Sequence, residues 1–240
     1  MSTDVDATHA DEPHTSGLAN RLNWLRAGML GANDGIVSTA GIVVGVAAAT
    51  TERGSIFTAG IAGLAAGAVS MALGEYVSVS TQRDTEASLL AKEKWELEND
   101  PDDELDELAM ILTAKGINEE TARDAARELT AHDAFTAHAQ LELGIDPNDL
   151  TNPWQAAGSS AVSFTVGALL PLIAILLPPE TWRVPVCFAV VLVALAFTGA
   201  LGAKLGGSRI PRATIRMVIG GALAMAVTYG IGAAFGQVVG

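Results

Sequence analysis

Cysteine is all but absent. Cys187 is the only one in 240 residues and sits in the apolar run VPVCFAVVLVALAF, so the chain has no disulfide framework and no cysteine metal cluster. Basic residues are also scarce, with 14 Lys and Arg against 27 Asp and Glu and a formal net charge of -13. Phosphate backbones demand clustered Lys and Arg, so nucleic acid is excluded as a partner, and the excess of acid favours cations instead. Residues 1–20 carry neither a basic n-region nor an apolar h-region; they read as a disordered tail and not as a signal peptide. His9, His14, His132 and His138 all lie outside the long apolar runs. An intramembrane hydrolase, which would want a Ser and His pair or a metal-activated water at membrane depth, is therefore disfavoured, and no enzyme is expected.

The charge that is present is segregated. Residues 83–149 hold 19 acids and 6 bases, a net equal to that of the whole chain, and the rest sums to zero with long stretches nearly charge-free. Mean hydropathy is +0.35, compatible with a large soluble domain or a small polytopic membrane protein. Segregation decides for the second, an all-α membrane protein with apolar spans around one acidic aqueous module.

Roughly 20 residues at ~1.5 Å each cross a hydrocarbon core. Residues 28–49 meet that length, and Asp34 is their only charge, set in GANDG between glycines that admit a neighbouring helix. A second span covers residues 56–80, where Gly63, Gly67, Ser70 and Gly74 form a small-residue face that supports close packing. From Gln82 to Glu98 the pattern stays helical as the residues turn polar, so one rod runs from Gly60 to Asp100. Asp100 is the expected N-cap of a second aqueous helix starting at Pro101 and stopping at Gly116. Asn118 with Thr121, followed by Glu119 and Glu120, starts a third that ends near Gly144. Further spans are predicted over residues 156–177, with a kink at Pro171, and over 184–203 and 215–239. The organisation is thus a tail (1–20), helices 1–2 (21–82), a three-helix acidic module (83–150) and helices 3–5 (151–240). Lys204, Arg209, Arg212 and Arg216, with Arg21 and Arg26, place the N-terminus, the module and the basic loop in the cytoplasm.

Three groups of side chains could carry chemistry. A carboxylate at membrane depth costs a few kcal/mol, which marks Asp34 and, nearer the end of its span, Glu75. Met71 lies one turn before Glu75; it is either packing filler or a soft ligand beside a hard one, and a mixed site of that kind suits Fe²⁺ and its late first-row neighbours. In the module, Glu93 with Glu96 and Glu104 with Glu107 share faces at i, i+3; they bind a divalent cation or merely face water. His138 and Glu142, like Glu128 and His132, stand at i, i+4. No Glu-x-x-His occurs in the module, so a ferritin-like di-iron oxidase is not expected.

The segments GANDGIVSTAGIVVGV (31–46), AGLAAGAVSMALGEYVSVSTQRD (62–84) and NPWQAAGSSAVSFTVGALLPL (152–172) together resemble the vacuolar iron transporter family. The resemblance implies a homodimer of five-helix protomers that moves Fe²⁺, Mn²⁺ or related divalents such as Zn²⁺ or Co²⁺ out of the cytosol in exchange for protons. No resident cofactor is implied beyond the metal bound and moved. The family's membrane site matches Asp34, Met71 and Glu75. Its cytosolic module matches Glu93, Glu96, Glu104, Glu107 and Glu142, while His138-Ala139 stands where members with this module have a Met pair. A membrane-anchored metal buffer or sensor that moves nothing is the alternative. The membrane is expected to be a bacterial plasma membrane, from the Ala- and Gly-rich acidic composition, or a vacuolar one in a eukaryote.

Overall fold

The computed structural model describes residues 18–239, with side chains from 26 to 236; most of the expected N-terminal tail lies outside the described residues. Seven α-helices follow in order: α1 (Leu18–Ala49), α2 (Arg53–Asn99), α3 (Pro101–Ala114), α4 (Glu119–Leu141), α5 (Pro153–Leu176), α6 (Arg183–Leu205) and α7 (Ile210–Val239), with a 3₁₀ turn at Glu180–Trp182. Five of them, α1, α2, α5, α6 and α7, have the length and apolarity to cross a membrane. The described chain divides into two compact units, one of Ser78–Asn152 and the other of Asn23–Val77 with the segment from Pro153 onward.

The spanning unit has its core where the inward stripes of its helices meet: Ile36, Ala40, Val43 and Val44 of α1, Ile56 of α2, Leu172 and Ile175 of α5, Cys187, Val191 and Leu195 of α6, and Met225 of α7. Spacings of three and four keep each set on one helical face. The opposite faces are also apolar, with Val69, Leu73 and Val77 of α2, Val193 and Phe197 of α6, and Ile219, Leu223 and Val227 of α7 all exposed. A helix apolar all round belongs in a solvent as apolar as itself.

Helix α1 owes its position to the GANDG glycines. A Cβ at Gly35 would collide with the Phe164 carbonyl, and one at Gly167 with the Ala32 carbonyl, so α1 and α5 touch backbone to backbone around Asp34. Gly35→Val is expected to cost about 1–3 kcal/mol by overpacking. In a thermal unfolding assay it lowers Tm, whereas Gly158→Ala, where a Cβ meets open space, does not.

The close packing expected at Gly63 and Gly67 is present: a Cβ there would collide with the Ile42 and Phe164 side chains. Ser70 and Gly74, expected to extend that packed face, are exposed, and a Cβ at Gly74 meets nothing within 4 Å. Pro171 lies inside α5, which is assigned as one helix from Pro153 to Leu176.

In the other unit, Leu108, Ala109 and Leu112 of α3 pack on Ala122, Ala126 and Ala137 of α4. Asp100 stands at the N-cap of α3 ahead of Pro101, but its side chain makes no cap bond; its backbone carbonyl accepts from the Asp103 and Glu104 N–H groups, both at 3.1 Å. Gly116 ends the helix with φ +98°, a left-handed conformation open to glycine. Asn118 Oδ1 accepts from the Thr121 N–H at 3.0 Å and starts α4. The expected continuous third helix is broken at Asp133 (φ -162°, ψ 90°), whose Oδ1 accepts from the Thr136 N–H at 3.1 Å and caps a second segment. That segment ends at Leu141, short of Gly144.

Candidate metal centre and membrane carboxylates

The restart of α4 at Asp133 sets the direction of His138, whose side chain is fully buried. Its Nδ1 lies 3.0 Å from Glu93 Oε1, 3.4 Å from Glu104 Oε2 and 3.3 Å from Glu142 Oε2. Glu93 comes from α2, Glu104 from the first turn of α3, and Glu142 caps α4 one turn after His138. One ring nitrogen holds one proton, so it cannot satisfy three oxygens at once. Glu93 Oε1, Glu104 Oε2 and His138 Nε2 are all buried without a hydrogen-bond partner.

Ligand atoms from the four residues lie within 4.8 Å of one another. Around a divalent ion with ligands at ~2.1 Å, neighbouring ligand atoms stand about 3.0 Å apart in octahedral and about 3.4 Å apart in tetrahedral coordination. The spacings around His138 Nδ1 span that interval. Three oxygens and one nitrogen, with no sulfur, form a donor set for first-row divalent metals.

Electrostatics point the same way. The Glu93 carboxyl is pushed up to about 7, first by burial and then by the charges of Glu142, Glu104, Glu96 and Glu107. Burial also raises Glu104, opposed by His138. Acids kept apart from water and crowded by like charge hold protons that a dication would displace.

Sequence pairing does not decide which acids meet. Glu93 and Glu104 join the cluster; their i+3 partners do not. Glu96 instead binds Lys92 Nζ at 2.6 Å and 2.7 Å, and Glu107 acts on the cluster as a neighbouring charge. Glu128 and His132 are exposed and form no ion pair among the described residues.

In the spanning unit, Asp34, Met71 and Glu75 are each partly buried. Asp34 Oδ1 accepts from Ser38 Oγ at 2.6 Å, and Glu75 Oε1 lies 3.8 Å from Arg26 Nη2, with its side chain 13% exposed. No hydrogen bond or ion pair joins Asp34 to Glu75 among the described residues. Tyr76, next to Glu75, packs its ring on Trp154 with centroids 4.6 Å apart. Ser38 and Arg26 did not emerge as site residues from the sequence. The i, i+4 spacing from Asp34 to Ser38 is the signal that finds the first; Arg26 is far from Glu75 in the chain and leaves none.

The VIT family profile matches residues 25–233. "Vacuolar iron transporter" of Acanthamoeba castellanii is 44% identical over 223 residues, covering 92% of this chain and 82% of that protein. "Vacuolar iron transporter homolog 5" of Oryza sativa is 39% identical, covering 89% and 81% respectively. "Vacuolar iron transporter homolog 2.1" of Arabidopsis thaliana is 35% identical, covering 88% and 81%. A match that runs from the start of the first span through the last, on a chain with five helices fit to cross a bilayer, makes this multi-pass membrane protein a member of the VIT family.

Proposed function

We propose that the protein exports divalent transition metal, Fe²⁺ or Mn²⁺, from the cytosol in exchange for protons. The observation that supports this reading is the convergence of Glu93, Glu104 and Glu142 on His138, a set of groups able to hold a cation in a membrane protein whose relatives are named iron transporters. The acidic unit collects the ion at the cytosolic side; Asp34, Met71 and Glu75 pass it through the membrane. Dication and protons compete for the same carboxylate oxygens, so loading one side with metal releases protons and the opposing proton gradient returns them. His138 occupies the place of a thioether donor and keeps the collecting site all nitrogen and oxygen, a set that also admits Zn²⁺ and Co²⁺.

The transporting form on this reading is a homodimer. The half-buried Met71 and Glu75 adjoin an uncovered face of α2 with Ser70 and Gly74 exposed, and a second protomer laid there would complete the path. Loop charge orients the assembly with the basic segment Lys204, Arg209 and Arg212 in the cytoplasm. The relatives' names favour a vacuolar membrane; a bacterial plasma membrane finds no support among them.

Purified protein in proteoliposomes, challenged separately with Fe²⁺, Mn²⁺, Zn²⁺ and Ca²⁺ while internal pH is recorded, tests the reading. Saturable Fe²⁺ or Mn²⁺ flux with coupled proton movement and no Ca²⁺ flux is the expected result. Metal binding without flux would make the protein a buffer or sensor.

A further inference from the structure

The turns joining α1 to α2 and α5 to α6 lie together at one end of the spanning unit. Arg53 Nη2 donates there to the Pro178 carbonyl at 3.2 Å, and Arg183 Nη1 donates to the Thr51 carbonyl at 2.8 Å. Arg183 is only 7% exposed, yet its buried Nε has no partner, and no carboxylate pairs with it among the described residues. A guanidinium withdrawn from water needs its donors satisfied and its charge balanced.

The start of α6 adds to the imbalance. Arg183 is its first residue, Trp182 supplies no side-chain cap, and no acid stands in the first turn, so the positive end of the helix falls on the same spot. A cavity of about 330 Å³ opens there, lined by Ala47, Thr51, Glu180, Thr181, Arg183 and Val184. Nη1 is committed to Thr51, and the orphaned Nε belongs to a guanidinium that lines the cavity; a guanidinium edge carries parallel N–H donors, a fork that matches two oxygens of one phosphate. Glu180, the acid on the wall, is exposed and disfavours polyphosphates relative to a singly charged phosphate group. Trp182 and Leu177 are exposed beside the cavity, as side chains at headgroup depth are.

We infer that this cavity binds a phosphate group through Arg183, carried either by a phospholipid headgroup or by free phosphate. Two measurements on the full-length protein separate the sources. One is thermal unfolding in detergent with inorganic phosphate titrated at constant ionic strength. The other is native mass spectrometry after release from phosphatidylglycerol-containing nanodiscs. A free-phosphate site raises Tm by about 3 °C once phosphate exceeds its Kd tenfold; a headgroup site retains one phosphatidylglycerol per protomer without a phosphate-dependent shift. In either case Arg183→Gln abolishes the signal. So does Thr181→Phe, which fills the cavity while leaving the Arg183–Thr51 bond in place and reads out the site should Arg183→Gln fail to fold. No binding of either probe to the wild type, or equal binding by the wild type and Thr181→Phe, would overturn the assignment.

Discussion

Asp34→Asn is expected to leave the protein folded and to reduce proton-driven Fe²⁺ flux by about 10–100-fold, the scale on which metal sites respond to loss of a supporting group. Asn has the size of Asp and retains an oxygen to accept from Ser38 Oγ, now at 2.6 Å from Oδ1. It also fits beneath the Gly35 and Gly167 contacts that hold α1 against α5. What disappears is the charge and the exchangeable proton. A carboxylate at membrane depth costs about 2.5–3.5 kcal/mol on the insertion scale, so the neutral variant is expected to be no less stable than the wild type. A stable but inactive protein would identify Asp34 as an acid kept for transport. Unchanged flux at unchanged stability would remove Asp34 from the path and with it the exchange mechanism.

Glu93→Gln is expected to separate binding from stability. Removing one of three converging carboxylates weakens metal binding to the acidic unit by about 10–100-fold, measured by calorimetric titration of the full-length protein. The metal-free protein moves the other way. Glu93 holds its proton in the folded state up to about 7 against a reference of 4.5. Between those values the unfolded chain has released a proton that the folded chain keeps, so stability present below 4.5 is lost as pH rises to 7 and stays lost above it. At about 1.4 kcal/mol per pH unit the full window is worth on the order of 3 kcal/mol. Gln carries no such cost, so at pH 8 the metal-free variant should unfold several degrees above the wild type, while metal raises its Tm less. Below pH 7 the wild type should also lose metal affinity by up to about tenfold per unit as Glu93 regains its proton, a slope that flattens in the variant. A variant that binds metal as tightly as the wild type would show that Glu93 is not a ligand.

Both effects arise from the same arrangement. The acidic unit withdraws Glu93 and Glu104 from water and sets them around His138, a packing that costs stability while the carboxylates stay unpaired. Such a conflict is usual where a fold holds a functional group in a costly position.

The five spans and the acidic stretch between the second and third were legible because hydropathy and charge are carried by consecutive residues, and a helix in a bilayer satisfies its backbone within itself. Pro101, Asn118 and Gly116 mark helix boundaries for the same reason, since capping and left-handed turns depend on residues a few positions apart. The family motif around GANDG and SMALGEY is likewise read along the chain. The tertiary structure decided the rest. Residues at i and i+3 lie about 60° apart on a helix, so spacing made Glu93 equivalent to Glu96 and Glu104 equivalent to Glu107; the packing of α2, α3 and α4 turned one of each pair inward. The break at Asp133, which aims His138, rests on a backbone conformation that the helical pattern from Glu128 to His132 does not announce. Gly63 and Gly67 promised a helix contact, and only the positions of Ile42 and Phe164 showed what fills it. Sequence alone determined which stretches are long and apolar enough to cross a membrane, because that is a local transfer free energy; which carboxylates meet at one point is a property of three helices packed together, and it exists only in the fold.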